Sequence, residues 1–191
     1  VHGNQEAFSS TLAYLTGLGV NEIYCLGDLV GYGQGAAECV ELVRKYNVLC
    51  IQGNHDAQIR PPRDPRMREE AQIALDYAMK QLSPEQMQWL QNLKHERVVD
   101  NRMVLVHGAL TGRDDYILTN EAIKTNMNIL AGKYAGLNLC FFGHSHVSMV
   151  LASGETRVNI GESDIIDIRP GKRYLINPVD SREAALGLPD S

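Results

Sequence analysis

Six histidines are spread over the chain, and five of them lie in short segments that follow an apolar run and contain glycine, asparagine or aspartate. They lie in four short segments: Val1-His2-Gly3-Asn4, Gly53-Asn54-His55-Asp56, Val106-His107-Gly108 and Gly143-His144-Ser145-His146. A carboxylate follows another apolar run in Gly27-Asp28-Leu29. Because the carboxyl ends of strands form the ligand crevice of an α/β sheet, we expect these side chains to meet at one edge.

The residue types in these segments are those that bind divalent transition metals. Neutral imidazole, carboxylate and amide oxygen are suitable ligands for manganese, iron, cobalt, nickel and zinc. A carboxylate such as Asp28 can bridge two ions, and two ions about 3.5–4 Å apart form an established arrangement for phosphoester hydrolysis. His144 and His146 are two residues apart, so both would point to the same side of an extended segment. The pattern therefore predicts metal-assisted hydrolysis of a phosphate ester.

Each piece of the pattern also has a purely structural interpretation. A Gly-Asp pair alone is a common turn, and Asn-His-Asp alone could be a turn closed by the asparagine side chain. The remaining histidine, His95, lies in a polar run and is expected to be exposed. The combination of the segments, in this order, favours a site. A structural zinc ion is less favoured because the ligands come from distant strand ends rather than from a compact knuckle.

Helices and strands alternate in the first half of the chain. The predicted elements are a helix over 5–17, a strand over 20–26, a helix over 35–46 and a strand over 48–51. Asn4 is a predicted N-cap, with Phe8, Leu12 and Leu15 on one face of the first helix. This alternation predicts parallel α/β winding.

A proline-rich loop over 58–65 separates these elements from two further helices, predicted over 66–82 and from Ser83, where Ser83 and Gln86 form a capping box. The rest of the chain is mainly β. The remaining predicted elements are strands over 98–99, 103–106, 139–142, 147–151, 156–160 and 165–168 and a helix over 120–135.

Composition excludes several classes of protein. The chain has 191 residues and a mass of 21.2 kDa, which fits one domain over residues 1–191. Its formal net charge of −5 argues against a nucleic-acid-binding surface. No apolar run approaches the roughly 18 residues of a membrane span. The four cysteines form no CxxC pair and are expected to be buried thiols, so we expect a cytoplasmic protein.

The segments resemble the calcineurin-like metallophosphoesterase family. The stretch over 26–33, with Glu38-Cys39-Val40 after it, resembles the small bacterial branch of that family. That family's pattern is D-x-H, then G-D, then G-N-H-[DE], then H, then G-H-x-H. The matching residues here, in order, are His2, Gly27-Asp28, Gly53-Asn54-His55-Asp56, His107 and Gly143-His144-Ser145-His146. The family fold is an α/β four-layer α-β-β-α sandwich of two mixed β-sheets, with the metal site at the carboxyl ends of strands.

The resemblance implies a role for each matched residue. His2 and His146 would bind the first metal, Asp28 would bridge both, and Asn54, His107 and His144 would bind the second. A bridging hydroxide would attack phosphorus. His55 would contact the phosphate without binding metal and would protonate the leaving group, and Asp56 would orient His55. Two divalent ions are implied, with manganese or iron favoured over zinc, nickel or cobalt. Asn54 and His55 would also bind substrate.

The chain departs from the family pattern at two places. The family's first ligand is an aspartate two residues before His2. We expect that aspartate and a strand to precede Val1 in the natural chain; the alternative is a first metal that lacks a carboxylate ligand. Near the end, the family reads Asn-Pro-Gly-Ser before a loop with glycine and arginine. This chain has Asn177-Pro178-Val179 instead, which leaves the role of that loop open.

The resemblance leaves the substrate open among phosphomonoesters, phosphodiesters, dinucleoside polyphosphates and phosphoproteins. The sequence does not indicate an oligomeric state. Selectivity would come from the loops over 31–35, 58–65 and 110–116. Arg60, Arg63 and Arg113 are candidate phosphate contacts, although a solvated surface charge is favoured for each. The alternative function is a binding or scaffold module with little or no catalysis.

Overall fold

The computed structural model describes residues 1–155, 158–159 and 166–178, with no side-chain description at 158 and 159. The described chain forms two compact units, one from residues 1–94 and one from residues 95–178. Each unit has its own sheet and its own apolar core. The assignment of residues 1–191 to a single domain stays a prediction.

The first unit begins with helix α1 (Gln5–Gly17), which starts where the sequence predicts. The Asn4 side chain accepts a hydrogen bond from the Ala7 amide at 3.0 Å, so it satisfies one of the unpaired amides of the first turn. Phe8 and Leu12 are buried on the inner face of α1. The predicted N-cap is confirmed, and the predicted face is buried at Phe8 and Leu12 but only half-buried at Leu15.

The sheet of the first unit consists of two short parallel strands, β1 (Tyr24–Cys25) and β2 (Leu49–Cys50), joined through helix α2 (Ala36–Lys45). Parallel winding is therefore confirmed. Both strands are shorter than predicted. Residues 20–22 are exposed, and only the buried inner part of that run pairs with a neighbour.

Three more helices complete the first unit: α3 (Asn54–Ala57), α4 (Glu69–Gln81) and α5 (Pro84–Asn92). The capping box of α5 is confirmed, with Ser83 and Gln86 each accepting the other's backbone amide. Helix α4 begins later than predicted because Asp64 accepts the Arg66 amide at 2.8 Å and holds a turn there. The short helix α3 was not predicted.

The second unit contains one helix and six strands in the described residues: β3 (Glu96–Val99), β4 (Met103–Val106), α6 (Asn120–Gly132), β5 (Leu139–Phe141), β6 (Met149–Ala152), β7 (Val158–Asn159) and β8 (Tyr174–Asn177). The strand order is β3-β4-β5-β8-β6-β7. Strands β4, β5 and β8 are mutually parallel, and the other pairings are antiparallel. The α/β class is confirmed.

Two details of the second sheet differ from the sequence prediction. Strand β8 was missed, although all of its side chains are buried and it lies between β5 and β6. Residues 166–168 were predicted as strand but pair with none, because the Tyr174 hydroxyl bonds to the backbone of Asp167 and Arg169 instead. Residue 165, and residues 156, 157 and 160 of the strand predicted around β7, lie outside the described residues.

The four cysteines are free and buried, as predicted. Burial disfavours the thiolate and raises the pKa of Cys39 and of Cys140 to about 12. These thiols therefore act as small apolar core groups. Among the described residues, no helix combines the length and apolar character needed to cross a bilayer.

Candidate metal centre

The loops after β1 and β2 come together because the two strands are parallel and end at the same edge of their sheet. Asp28 lies in the loop after β1, and the Gly53–Asp56 segment follows β2. The Asp28 carboxylate accepts a hydrogen bond from the backbone amide of His55 at 3.0 Å. The Asp28 carboxylate is thus in direct contact with the Gly53–Asp56 segment.

The N-terminal turn adds His2 to this pair. The His2 amide donates to the Asp28 carbonyl at 2.6 Å, and the Gly3 amide donates to the Leu29 carbonyl at 2.8 Å. Among the side chains, His2 Nε2 lies 3.4 Å from Asp28 Oδ2. The ring centres of His2 and His55 are 4.7 Å apart, and the two rings meet edge to face. Backbone bonding therefore fixes where the His2 imidazole lies.

The chemistry of this cluster fits a divalent metal. His2, Asp28 and His55 are buried, and each offers one ligating atom within 4.8 Å of the other two. Imidazole nitrogen and carboxylate oxygen are the donors that transition metals take in mixed sites. The position of His55 is compatible with a ligand as well as with the predicted acid. Its role as the acid stays a prediction.

Asp56 is the most buried charged residue of the motif, with no exposed surface. One of its oxygens accepts the amides of Leu29 and Val30, at 2.9 and 3.2 Å. The other accepts the Gly53 amide at 2.9 Å. A single carboxylate thus ties the loop after β1 to the loop after β2. Its predicted action on the His55 side chain stays a prediction.

Asn54, the remaining predicted ligand of the first unit, is the first residue of α3 and is half-buried. The glycine before it is required by close packing, because a Cβ at Gly53 would collide with the Asp28 carboxylate. Gly53 therefore lets the backbone just before Asn54 pack against Asp28.

In the second unit, β4 and β5 are parallel neighbours, and each ends at a histidine motif. His107 directly follows β4, and its ring lies 5.0 Å from the ring of His144. The Gly143 amide donates to the His107 carbonyl at 2.7 Å, which links the two loops. The predicted location of histidines at strand carboxyl ends is confirmed within this unit.

The segment containing His144 and His146 is not extended, so strand alternation does not set the directions of these two side chains. Residues 144–145 form a bend, and φ is 63° at His144 and 58° at His146. The Asn177 side chain, at the end of β8, donates to Ser145 Oγ at 2.9 Å and holds this bend. Sequence reasoning assigned no role to Asn177.

Left-handed backbone is concentrated at the predicted ligands. In the described residues, seven residues other than glycine have this conformation, and four of them are predicted ligands: His2, Asp28, His144 and His146. The other three are asparagine or aspartate, which adopt it readily in turns. Strained backbone of this kind accumulates at functional sites, which supports the assignment of these positions.

Two tyrosines that the sequence analysis gave no role lie against these histidines. Tyr32 has its ring 5.1 Å from the ring of His2 and the same distance from that of His55. Tyr116 stacks on His144, with ring centres 4.3 Å apart and planes 22° apart. Both tyrosines lie in loops to which the sequence analysis assigned substrate selectivity, and this loop assignment is the sequence signal that could have identified them.

The three arginine candidates differ in their surroundings. Arg60 is exposed. The side chain of Arg63 is only 8% exposed and donates to the carbonyls of Gln58, Ile59 and Gln72 and to the Asp76 carboxylate. Arg63 therefore holds the proline-rich loop together, which is neither of the roles expected for it. Arg113 pairs with the neighbouring Asp114.

Buried imidazole and carboxylate groups at the strand ends of an α/β protein are a donor set suited to a metal-dependent hydrolase. The family model of the calcineurin-like phosphoesterase superfamily domain matches residues 1–181, so the chain belongs to this family. It is a metal-dependent phosphoester hydrolase.

Individual relatives agree with this assignment. An uncharacterized protein of Methanocaldococcus jannaschii is 30% identical over 183 residues, which are 93% of this chain and 72% of the relative. A metallophosphoesterase from Sphaerobacter thermophilus superposes with a TM-score of 0.76 at 31% identity, over 95% of this chain and 74% of that one. A hypothetical protein from Pyrococcus horikoshii shares the fold, with a TM-score of 0.69 at 17% identity over 99% of this chain and 91% of that one.

Proposed function

We propose that the protein hydrolyses phosphate esters at a dinuclear metal centre, with His55 as the general acid. The ligands in this proposal are His2, Asp28, Asn54, His107, His144 and His146. The substrate is a small phosphate ester or a phosphoprotein. The observation that carries the proposal is the buried His2–Asp28–His55 cluster, whose ligating atoms lie within 4.8 Å of one another.

The remaining support comes from the family pattern. Four of the five motifs match completely and the first matches at His2, all in the family's order. The chain belongs to that family, and the resemblance implies that these residues share one centre. Two divalent ions, when bound, would supply a water of lowered pKa and would neutralise phosphoryl charge. Manganese or iron is proposed over zinc, nickel and cobalt, since nitrogen and oxygen ligands are mixed.

The chain's own residues have three tasks in this reaction. Asp28 would supply negative charge to both ions, and the hydrogen bond that its carboxylate accepts from the His55 amide fixes the backbone of His55. The Asn54 amide would contribute a neutral oxygen ligand and a donor to the phosphate. The His55 imidazole, protonated before the reaction, transfers its proton to the leaving oxygen, which avoids expulsion of an unstable alkoxide.

The direct test is hydrolysis of bis(p-nitrophenyl) phosphate and p-nitrophenyl phosphate by the purified protein. The protein is first treated with a chelator and then supplied separately with Mn²⁺, Fe²⁺, Zn²⁺, Ni²⁺ or Co²⁺. We expect activity that is lost with the chelator and restored by Mn²⁺ or Fe²⁺. If no metal restores cleavage of either ester, the scaffold alternative is favoured and the proposal fails.

Replacing Asp28 with asparagine should remove metal while keeping the fold. Asparagine tolerates the left-handed backbone at this position, where φ is 53°, and its amide oxygen can still accept the His55 amide. The bridging charge is lost, so we expect metal affinity to fall by at least about 100-fold, since even outer-shell changes cost 10- to 100-fold.

The measurement is metal content after dialysis, together with the thermal unfolding midpoint of the metal-free protein. The matched control is Asp114→Asn, at a surface carboxylate paired with Arg113. Full retention of two ions by Asp28→Asn would show that Asp28 is not a bridging ligand.

A further inference from the structure

The Gly31–Gly35 loop is fixed against the histidines of the first unit by its backbone. The Gly33 amide donates to the His2 carbonyl at 2.6 Å, and the Gly35 amide donates to the Gly3 carbonyl at 2.9 Å. At Gly31, where φ is 139°, a Cβ would lie 2.7 Å from His55 Nδ1 and 2.8 Å from His2 Nδ1. The loop therefore lies directly on both imidazoles and cannot approach them more closely.

Tyr32 is held in a defined position by this loop. It stands between Gly31 and Gly33, and its ring plane is tilted by 52° to that of His2 and by 57° to that of His55. Even so, 43% of the residue is exposed to solvent. A large aromatic residue that rests on the site histidines and keeps this much of its surface in solvent can contact a ligand bound beside those histidines.

The direction of leaving-group departure connects Tyr32 to the reaction. A general acid must lie within hydrogen-bond reach of the oxygen that it protonates. The group attached to that oxygen therefore lies next to His55, and the ring centre of Tyr32 is 5.1 Å from that of His55. This step rests on the proposed function, specifically on His55 as the acid.

We propose that Tyr32 forms a leaving-group subsite that stacks on a planar aromatic group, so that aryl or nucleoside phosphate esters are preferred over purely alkyl ones. Stacking of a base on an aromatic side chain changes affinity by roughly 5- to 150-fold. The subsite needs the ring face and not the hydroxyl, which distinguishes it from a tyrosine that donates a hydrogen bond to phosphate.

A pair of probes isolates the stacking contribution. Adenosine 5′-monophosphate and ribose 5-phosphate carry the same primary phosphate ester and differ chiefly by the base. Their dissociation constants are measured by calorimetry on the manganese-loaded protein at low temperature, and a phosphate assay confirms that the ester is intact after each titration. We expect the nucleotide to bind at least about 5-fold more tightly than the sugar phosphate.

Two variants of Tyr32 and one control variant test the subsite. Tyr32→Leu should bring the two dissociation constants together, whereas Tyr32→Phe should keep them apart. Tyr14→Leu removes a tyrosine of α1 that is 67% exposed and should leave the ratio unchanged. Thermal unfolding of each variant verifies that it is folded.

The proposal is overturned if the wild-type ratio is close to one, if neither probe binds, if the ratio survives in Tyr32→Leu, or if Tyr32→Phe loses it. These outcomes are separate from failure of the proposed function. A protein that cleaves p-nitrophenyl esters but binds both probes equally lacks only the subsite. A protein that shows the ratio and its loss in Tyr32→Leu, but cleaves no ester, retains the subsite and lacks the activity.

Discussion

Replacing His55 with alanine is expected to lower kcat by about 10²- to 10⁴-fold, the usual contribution of a positioned general acid. Metal content should stay at the wild-type level, because the proposed role of His55 is proton transfer. The measurements are turnover of bis(p-nitrophenyl) phosphate and metal content on the same protein preparation.

This experiment distinguishes two roles for His55, general acid and metal ligand. The imidazole of His55 is buried beside His2 and Asp28, at a distance that would also suit a ligand. Loss of one ion in His55→Ala would therefore reassign His55 as a ligand, and turnover at the wild-type rate would exclude both roles. His95→Ala is the matched control, because His95 is an exposed histidine, and it should change neither quantity.

Replacing Asp56 with alanine is expected to destabilise the fold by about 3–5 kcal/mol, because buried amides are left without an acceptor at about 1–3 kcal/mol each. These amides belong to Gly53, Leu29 and Val30, in the two loops that carry Asn54 and Asp28. We therefore expect metal affinity to fall along with stability. The measurements are urea unfolding of the metal-free protein and metal binding at equilibrium.

The control for this change is Asp114→Ala, at a half-exposed carboxylate in a surface pair, which should change the free energy of unfolding by no more than about 0.5 kcal/mol. If Asp56→Ala lowered the free energy of unfolding by as little as this control, the role of Asp56 in joining the loops would be contradicted. Asp56→Asn keeps one acceptor oxygen and should give an intermediate loss.

The fold was predictable where periodicity and end signals agree. The N-cap at Asn4 and the capping box at Ser83 act locally, so the sequence alone identifies them. Strand β8 was missed because a central strand buried on both faces shows no alternation of apolar and polar residues. The segment over 166–168 was misassigned because the Tyr174 hydroxyl bonds to the backbone of Asp167 and Arg169, and the apolar pattern of the segment gives no sign of this side-chain contact.

The chemistry of the site was more predictable than its geometry. Residue type and position after a strand select the histidines and Asp28, because parallel strands bring their ends to one edge. The left-handed conformation at His144 and His146 was not predictable from spacing, and neither was the hydrogen bond from Asn177 to Ser145. Both depend on contacts between separate loops, which a single sequence does not reveal.

The left-handed backbone at His2, Asp28, His144 and His146 limits how the metal preference of this protein can be redesigned. A change to softer ligands would introduce cysteine, and a change to a longer carboxylate would introduce glutamate. Neither residue shares the tolerance of histidine, aspartate and asparagine for positive φ, and a residue forced into this region costs about 1–3 kcal/mol. Under the proposed ligand assignment, selection for a new ion therefore has fewer usable amino acids at these positions than coordination chemistry alone would allow.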